Sequence, residues 1–348
     1  EIYTLSLHDA LPISEYRFNF TGSLRYAMMK EYYPEKFEKA KKYIKSGKWA
    51  LCGTCLDETD ALVPSIESLL RNILYGDRWA KSEFGISSRD YMIPDCFGFP
   101  ANMPTVLAHA GIKGFSSQKL TWNSAVGIPF EIGLWKGPDG TGIISAFNPG
   151  SYGTRLNHSI YKDAKKLKKL ETLGQKNNIW KSFQYYGVGD IGGAPKENSV
   201  KNAISDIKFP ADGIDLPVVH QGSPDQFFSE LTEEEINRMD TYSGDLLLIN
   251  HSTGMLTSAA IMKRWNRKNE QMAFAAEVAA TTAMLLTGAV YPVEKIKSAW
   301  FRVIGNQMHD ILPGTCTPTA YEYSQNDEVV ALNRSEERRV GKECRSRW

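Results

Sequence analysis

The sequence predicts an α/β domain with a parallel sheet, followed by a small bundle of three helices. Two features carry that prediction. From Phe18 to about Leu216, helical and strand-like segments alternate with short turns between them, the pattern of a parallel sheet covered by helices. After about residue 239 the texture changes to three consecutive helical patterns with short links, which reads as a bundle. The boundaries are therefore 15–238 for the α/β domain and 239–333 for the bundle, with Asp240-Thr-Tyr-Ser-Gly-Asp245 as the joint.

Each element has its own signal. Pro34 can open a helix, and Phe37, Ala40 and Ile44 follow at helical spacing up to Gly47. Trp49 to Cys52 reads as a buried strand. Ser65 can cap the next helix, with Glu67 in its first turn and an apolar stripe at Leu69, Leu70, Ile73 and Leu74. Tyr91 to Ile93 is a short strand ended by Pro94-Asp95, and Pro104 to Ala110 is a helix stopped by Gly111. Gly114 to Ser117 is another strand. Residues 131–147 form a hairpin turning at Pro138-Asp139-Gly140. Leu216 to Val219 is a last strand, and Ser223-Pro224-Asp225 opens a helix after it. The bundle helices run over 258–286, from Val293 to about Ile311, and from Thr319 to Leu332.

Composition excludes several classes. The chain has 348 residues, 42% hydrophobic and 23% charged, as an ordinary globular protein has. A net charge of +1 gives no electrostatic case for nucleic acid or an anionic membrane. Apolar runs stay well short of the roughly 18 residues a membrane-spanning helix needs. Five scattered cysteines, an odd number, argue against a disulfide scaffold. Residues 1–14 and 334–348 match no element of the pattern and are similar to translated sequencing-adapter sequence. They read as a non-native leader and tail, so His8, Asp9 and Cys344 get no functional weight. The compartment, cytoplasmic or periplasmic, and homo-oligomer formation stay open.

Four places could carry chemistry. Asp95 follows a short apolar strand, where a side chain of an α/β sheet points into the functional crevice; capping the next helix is its plainer use. Phe97 beside it suits a sugar platform or a core. His309-Asp310 offers an imidazole able to bind zinc and a carboxylate able to orient it, against a plainer role at a helix C-terminus. Gly187-Val-Gly-Asp190-Ile-Gly-Gly193 allows close backbone approach, but its spacing fails a dinucleotide fingerprint. Asp57-Glu58-Thr59-Asp60 could bind metal or sugar hydroxyls, or be a solvated loop. His251 is a substrate contact or a turn residue. Cys52 and Cys55 form a CxxC without the second pair a zinc ribbon needs.

Several blocks then occur in unbroken order over about residues 16–333. They are Tyr33-Pro34 through Glu67-Ser68, Ile93-Pro-Asp-Cys-Phe-Gly98, Met103-Pro104, Gly114-Phe-Ser-Ser-Gln-Lys-Leu120, Trp122-Asn123, Trp135-Lys-Gly-Pro-Asp-Gly140, Gly187-Val-Gly-Asp190 and Asn306-Gln-Met-His-Asp-Ile-Leu-Pro-Gly314. Together they resemble glycoside hydrolase family 38. The resemblance implies a seven-stranded, barrel-like parallel sheet, here truncated, followed by the three-helix bundle. It implies a retaining, exo-acting α-mannosidase that cleaves terminal α-linked mannose from glycans or oligosaccharides with one zinc ion. It makes Asp95 nucleophile and zinc ligand, His309 a second ligand, and Lys119 a basic residue near the sugar. Asp310, Phe97 and His251 are expected to contact substrate, and Asp190 or Asp245 to be the acid/base.

One departure has consequences. The family's His-x-Asp pair on the first strand, which supplies two further zinc ligands, has no counterpart before residue 60, and the family's C-terminal β-domains are missing. Structural zinc binding is worth roughly 10–16 kcal/mol in total, so half a ligand set costs several of these. The chain is therefore expected to be inactive or nearly so. Two other readings are a non-catalytic mannose-binding remnant and a metal-dependent hydrolase like a polysaccharide deacetylase.

Overall fold

The structure is a computed structural model that describes residues 15–209 and 216–339. The expected leader lies outside the described residues, as do residues 340–348 of the expected tail. Residues 334–339 continue a helix.

Strand β1 (Phe18–Phe20) pairs in parallel with β2 (Trp49–Leu51). Helices α1 (Ser23–Tyr32) and α2 (Pro34–Lys45) connect them. Pro34 starts α2, and Phe37, Ala40 and Ile44 are its buried residues. Helix α3 (Ile66–Phe84) is capped by the Ser65 side chain, which accepts from the Ser68 amide, and ends at Gly85 in the left-handed conformation. Gly76 lets α3 lie directly on the loop after β2, because a Cβ there would sit 2.1 Å from the Cys55 carbonyl carbon.

A five-stranded sheet follows, in the order β3 (Asp90–Met92), β5 (Gly114–Ser116), β7 (Gly142–Ala146), β6 (Ile132–Lys136), β8 (Thr241–Ser243). Helix α4 (Met103–His109) is the crossover between β3 and β5. Two short strands, β4 (Gly98–Phe99) and β9 (Leu246–Leu247), pair antiparallel beside it. The loop after β2 is fastened to β3: the Thr54 amide donates to Asp90 O and the Gly53 amide to Asp90 Oδ2.

The expected parallel sheet is therefore mixed. β6 and β7 are antiparallel because the link between them, closed by a Gly137–Thr141 backbone bond, is too short for a crossover. Leu216 to Val219 form no strand. Pro217 lacks the amide a ladder needs, and Val218 is 83% exposed. A core of Tyr91, Ile93, Phe99, Phe115, Trp135 and Phe147 lies between the sheet and α4.

Beyond α5 (Ala164–Asn177), α6 (Glu197–Lys208), α7 (Pro224–Ser229) and α8 (Glu233–Asn237) come three helices that pack on one another: α9 (Ala260–Thr287), α10 (Val293–Gly305) and α11 (Pro318–Arg339). Helix α10 ends six residues before the expected Ile311. The amides of residues 308 and 309 would have continued it, but that of His309 donates to Glu58 O while Met308 makes a β-bridge with Thr59. Leu56 from the sheet side joins the cluster of Ala273, Ile296, Trp300 and Ile304. Arg71 of α3 forms a two-point ion pair with Glu277 of α9 and lies over the Trp300 ring.

Candidate active site

Three neighbouring parallel strands end at one edge of the sheet and deliver the central residues there. Asp95 follows β3. Lys119 opens a short 3-10 turn (Lys119–Trp122) after β5. Tyr152 lies on the loop after β7. Lys119 Nζ donates to Asp95 Oδ1 at 2.8 Å, with the lysine side chain only 5% exposed. The Tyr152 hydroxyl donates to Asp190 Oδ1 at 2.8 Å and lies close enough to Asp95 to interact with its charge. The Tyr152 amide is itself held by Gln118 Oε1.

Burial alone would raise the Asp95 pKa. The hydrogen bond and charge of Lys119, helped by Tyr152 and His309, outweigh burial and hold the carboxyl below its ordinary range. Asp95 is thus an anion at neutral pH. Tyr152 is pushed the other way, first by burial and then by the carboxylates of Asp95 and Asp190, so its hydroxyl keeps its proton.

The second wall comes from the helices. His309 sits past the end of α10, 6% exposed. Its backbone amide and its Nδ1 both lie 3.0 Å from Glu58 O. A carbonyl only accepts, so Nδ1 carries a hydrogen, and Nε2 is the ring nitrogen left for a ligand. The Glu58 carbonyl therefore orients this ring. Asp310, expected in that role, has its Oδ2 3.7 Å from Nε2, and its Oδ1 accepts from Thr315. The Glu58 side chain accepts from Thr21 Oγ1 at 3.1 Å. Burial carries its pKa up to about 7, His309 pulls it down, and Asp57 and Asp95 push it up.

Aromatic rings close the group. Phe97 packs against His251 and His309 with ring centroids 5.6 and 6.2 Å away. Trp122 meets His251 at 4.6 Å. Lys119 Nζ lies 5.0 Å from the Phe97 ring centroid and 4.6 Å from that of Trp122. Burial and the Lys119 charge hold His251 below the ordinary imidazole range.

The structure thus gathers Asp95, Lys119, Phe97, His251, His309 and Asp190. Asp245 stands apart, its Oδ1 accepting from the Ala101 amide at 2.6 Å. Tyr152 is the residue that motif reasoning passed over, and Trp122, quoted within a motif, had no role assigned to it. Trp122 lies past β5, which neighbours the strand before Asp95, and Tyr152 lies past β7, the next strand in the sheet. Among the described residues no group of three or more His, Cys, Asp or Glu side chains is arranged to hold a metal ion. Asp95 and His309 offer two donors where a zinc site needs at least three from protein, so the described residues do not by themselves fit zinc.

An α/β fold thus holds an ionised carboxylate and its paired lysine at the strand ends, with a second carboxyl from the 3-10 turn Gly189–Ile191 beside them. The comparisons place it within a family. The model of the glycosyl hydrolases family 38 N-terminal domain matches residues 2–245, and that of the alpha mannosidase middle domain matches residues 250–338. The chain belongs to glycosyl hydrolase family 38. It is 30% identical to alpha-mannosidase G of Dictyostelium discoideum over 88% of this chain and 27% of that protein. It is 31% identical to the alpha-mannosidase of Saccharomyces cerevisiae over 98% of this chain and 31% of that protein. The chain therefore spans about a third of the length of these curated relatives. An alpha-mannosidase structure from Enterococcus faecalis V583 shares the fold, with a TM-score of 0.73 at 20% identity over 94% of this chain and 38% of that one.

Proposed function

We propose that this chain is part of a retaining, exo-acting α-mannosidase that removes terminal α-linked mannose from glycans or oligosaccharides. The observation that supports it is the Asp95–Tyr152–Asp190 line, anchored by Lys119. Retaining glycosidases keep their two carboxyls about 5–5.5 Å apart. The Tyr152 hydroxyl, which donates to Asp190 and feels the Asp95 charge, brings the two carboxyls onto one side chain.

Asp95, ionised, attacks the anomeric carbon and forms the glycosyl ester. Asp190 gives its proton to the departing glycosidic oxygen. Water then attacks the same carbon, returns a proton to Asp190 and frees Asp95. Lys119 holds Asp95 in line, and His251 lines the pocket. In the intact site Asp95 and His309 would supply two of a zinc ion's donors, the ion adding a Lewis acid beside the sugar. With that set incomplete among the described residues, the chain alone is expected to hydrolyse α-mannosides very slowly or not at all. The incomplete set also favours a second reading, mannose binding without catalysis.

Saturation-transfer NMR tests the proposal. Methyl α-mannoside should receive magnetisation from the chain in preference to methyl α-glucoside, and Asp95→Ala should abolish it. Equal transfer to both sugars would sink the mannoside reading. Binding that survives Asp95→Ala would leave only the non-catalytic one. Hydrolysis at a rate ordinary for glycosidases would overturn the expected inactivity.

A further inference from the structure

We infer that Trp122 is the platform for the second sugar, the ring on the leaving-group side of the scissile bond. The inference rests on the proposed exo-acting mannosidase reading and extends it outward from the cleavage point. Trp122 is 47% exposed, a costly position for so large an apolar ring. Phe97, its neighbour across the Lys119 ammonium, is only 6% exposed and has rings packed against it, so it offers little face to a ligand. Of the two rings that share Lys119, Trp122 is the one open to solvent.

The indole is also fixed in advance. It ends the 3-10 turn after β5, and Asn123 next to it takes the left-handed conformation with φ 77°. The following segment is tied down from the other side. The Ile249 amide donates to Asn123 O, the Ala125 amide to Leu247 O, and Ser124 bridges Leu248. His251 meets the ring at 4.6 Å and 68°. A ring held this way loses little freedom when a ligand arrives.

Position then selects the occupant. In exo cleavage the terminal ring enters the pocket, over Asp95, and the rest of the chain points outward. Trp122 is an exposed ring one contact away from Asp95, through the Lys119 ammonium. The C–H face of a pyranose packs on an indole, while its hydroxyls stay in water. The neutralised Lys119 beneath presents no free charge to oppose this.

The test compares one ring with two. Methyl α-mannoside and α-linked mannobioses are titrated into the chain by saturation-transfer NMR or calorimetry, with Trp122→Ala and Trp122→Phe alongside. The wild-type chain should bind at least one mannobiose about five- to tenfold more tightly than methyl α-mannoside. Trp122→Ala should erase that advantage by weakening the mannobiose far more than methyl α-mannoside, and Trp122→Phe should keep part of it. The inference is overturned if the mannobiose advantage survives Trp122→Ala, if there is no advantage to begin with, or if both ligands weaken equally. If the wild-type chain binds neither sugar, the mannosidase reading falls and takes this inference with it.

Discussion

The two walls of the site are held by different physics. The Asp95 wall is built from charges and hydroxyls at the ends of β3, β5 and β7, with Lys119 buried against its partner. The His309 wall is hung from backbone contacts, the His309 amide to Glu58 O and the Met308–Thr59 bridge. Behind it Glu270 Oε1 accepts from the Ser65 amide, the Ser68 hydroxyl and Gln307 Nε2 at 2.8, 2.7 and 3.1 Å. The lesson is that one wall should fail through electrostatics and the other through separation of two packed units.

The largest effect should come from Lys119→Met. It leaves the largely buried Asp95 without its Lys119 partner, which costs about 2–4 kcal/mol in a urea unfolding curve. Adding Asp95→Leu should return most of that loss, since two apolar side chains need no pairing. If the double variant is no more stable than the single one, the pair is held by packing and the contrast between the walls fails. Glu270→Ala should cost slightly less, about 2–3 kcal/mol, by stranding a helix-terminal amide and the Gln307 carboxamide. Hydrogen exchange should then speed up around residues 307–309 while Tyr91 and Phe115 stay protected. Equal loss of protection on both walls would show a single cooperative unit.

The same contrast governs how much was legible in the sequence. Asp95 could be found because its strand end announces itself, an apolar triplet and then Pro94-Asp95, whereas Lys119 came only from the family resemblance. Ser65 gave α3 its start for an equally local reason. The His309 wall was read as helix because Trp300, Ile304, Met308 and Ile311 keep helical spacing. What ended α10 was a carbonyl 251 residues away in the chain, which no local pattern contains. The orienting role given to Asp310 failed for the same reason. Tyr152 has no motif of its own and became visible only when β7 was found beside β5.

A smaller, pH-dependent effect separates the walls again. Asp95 has its pKa lowered, so its contribution to stability is present at neutral pH and is lost as the pH falls through that lowered value. Glu328, on α11 among the helices, has its pKa raised by burial to about 7. Its folded state holds a proton that the unfolded chain gives up near pH 4.5, so stability is greatest below that and falls as the pH rises to about 7. Glu328→Gln should therefore leave the melting temperature nearly unchanged at pH 4.5 and raise stability by about 1–2 kcal/mol at pH 8. An unchanged difference between the two pH values would remove Glu328 from this account.

The smallest predicted change discriminates the two acid/base candidates. Asp245 is exposed, and its bond to the Ala101 amide fastens the loop before α4 to the segment before β9. Asp245→Ala should cost no more than about 1 kcal/mol and should leave methyl α-mannoside binding untouched. Asp190→Ala should be as mild in stability, since Asp190 is also exposed. It should nevertheless disturb the site, because the Tyr152 hydroxyl then loses its acceptor beside Asp95. Side-by-side NMR titrations of the two variants decide the matter. A mannoside response that changes with Asp245 and ignores Asp190 would move the second carboxyl to the other loop and dissolve the Asp95–Tyr152–Asp190 line.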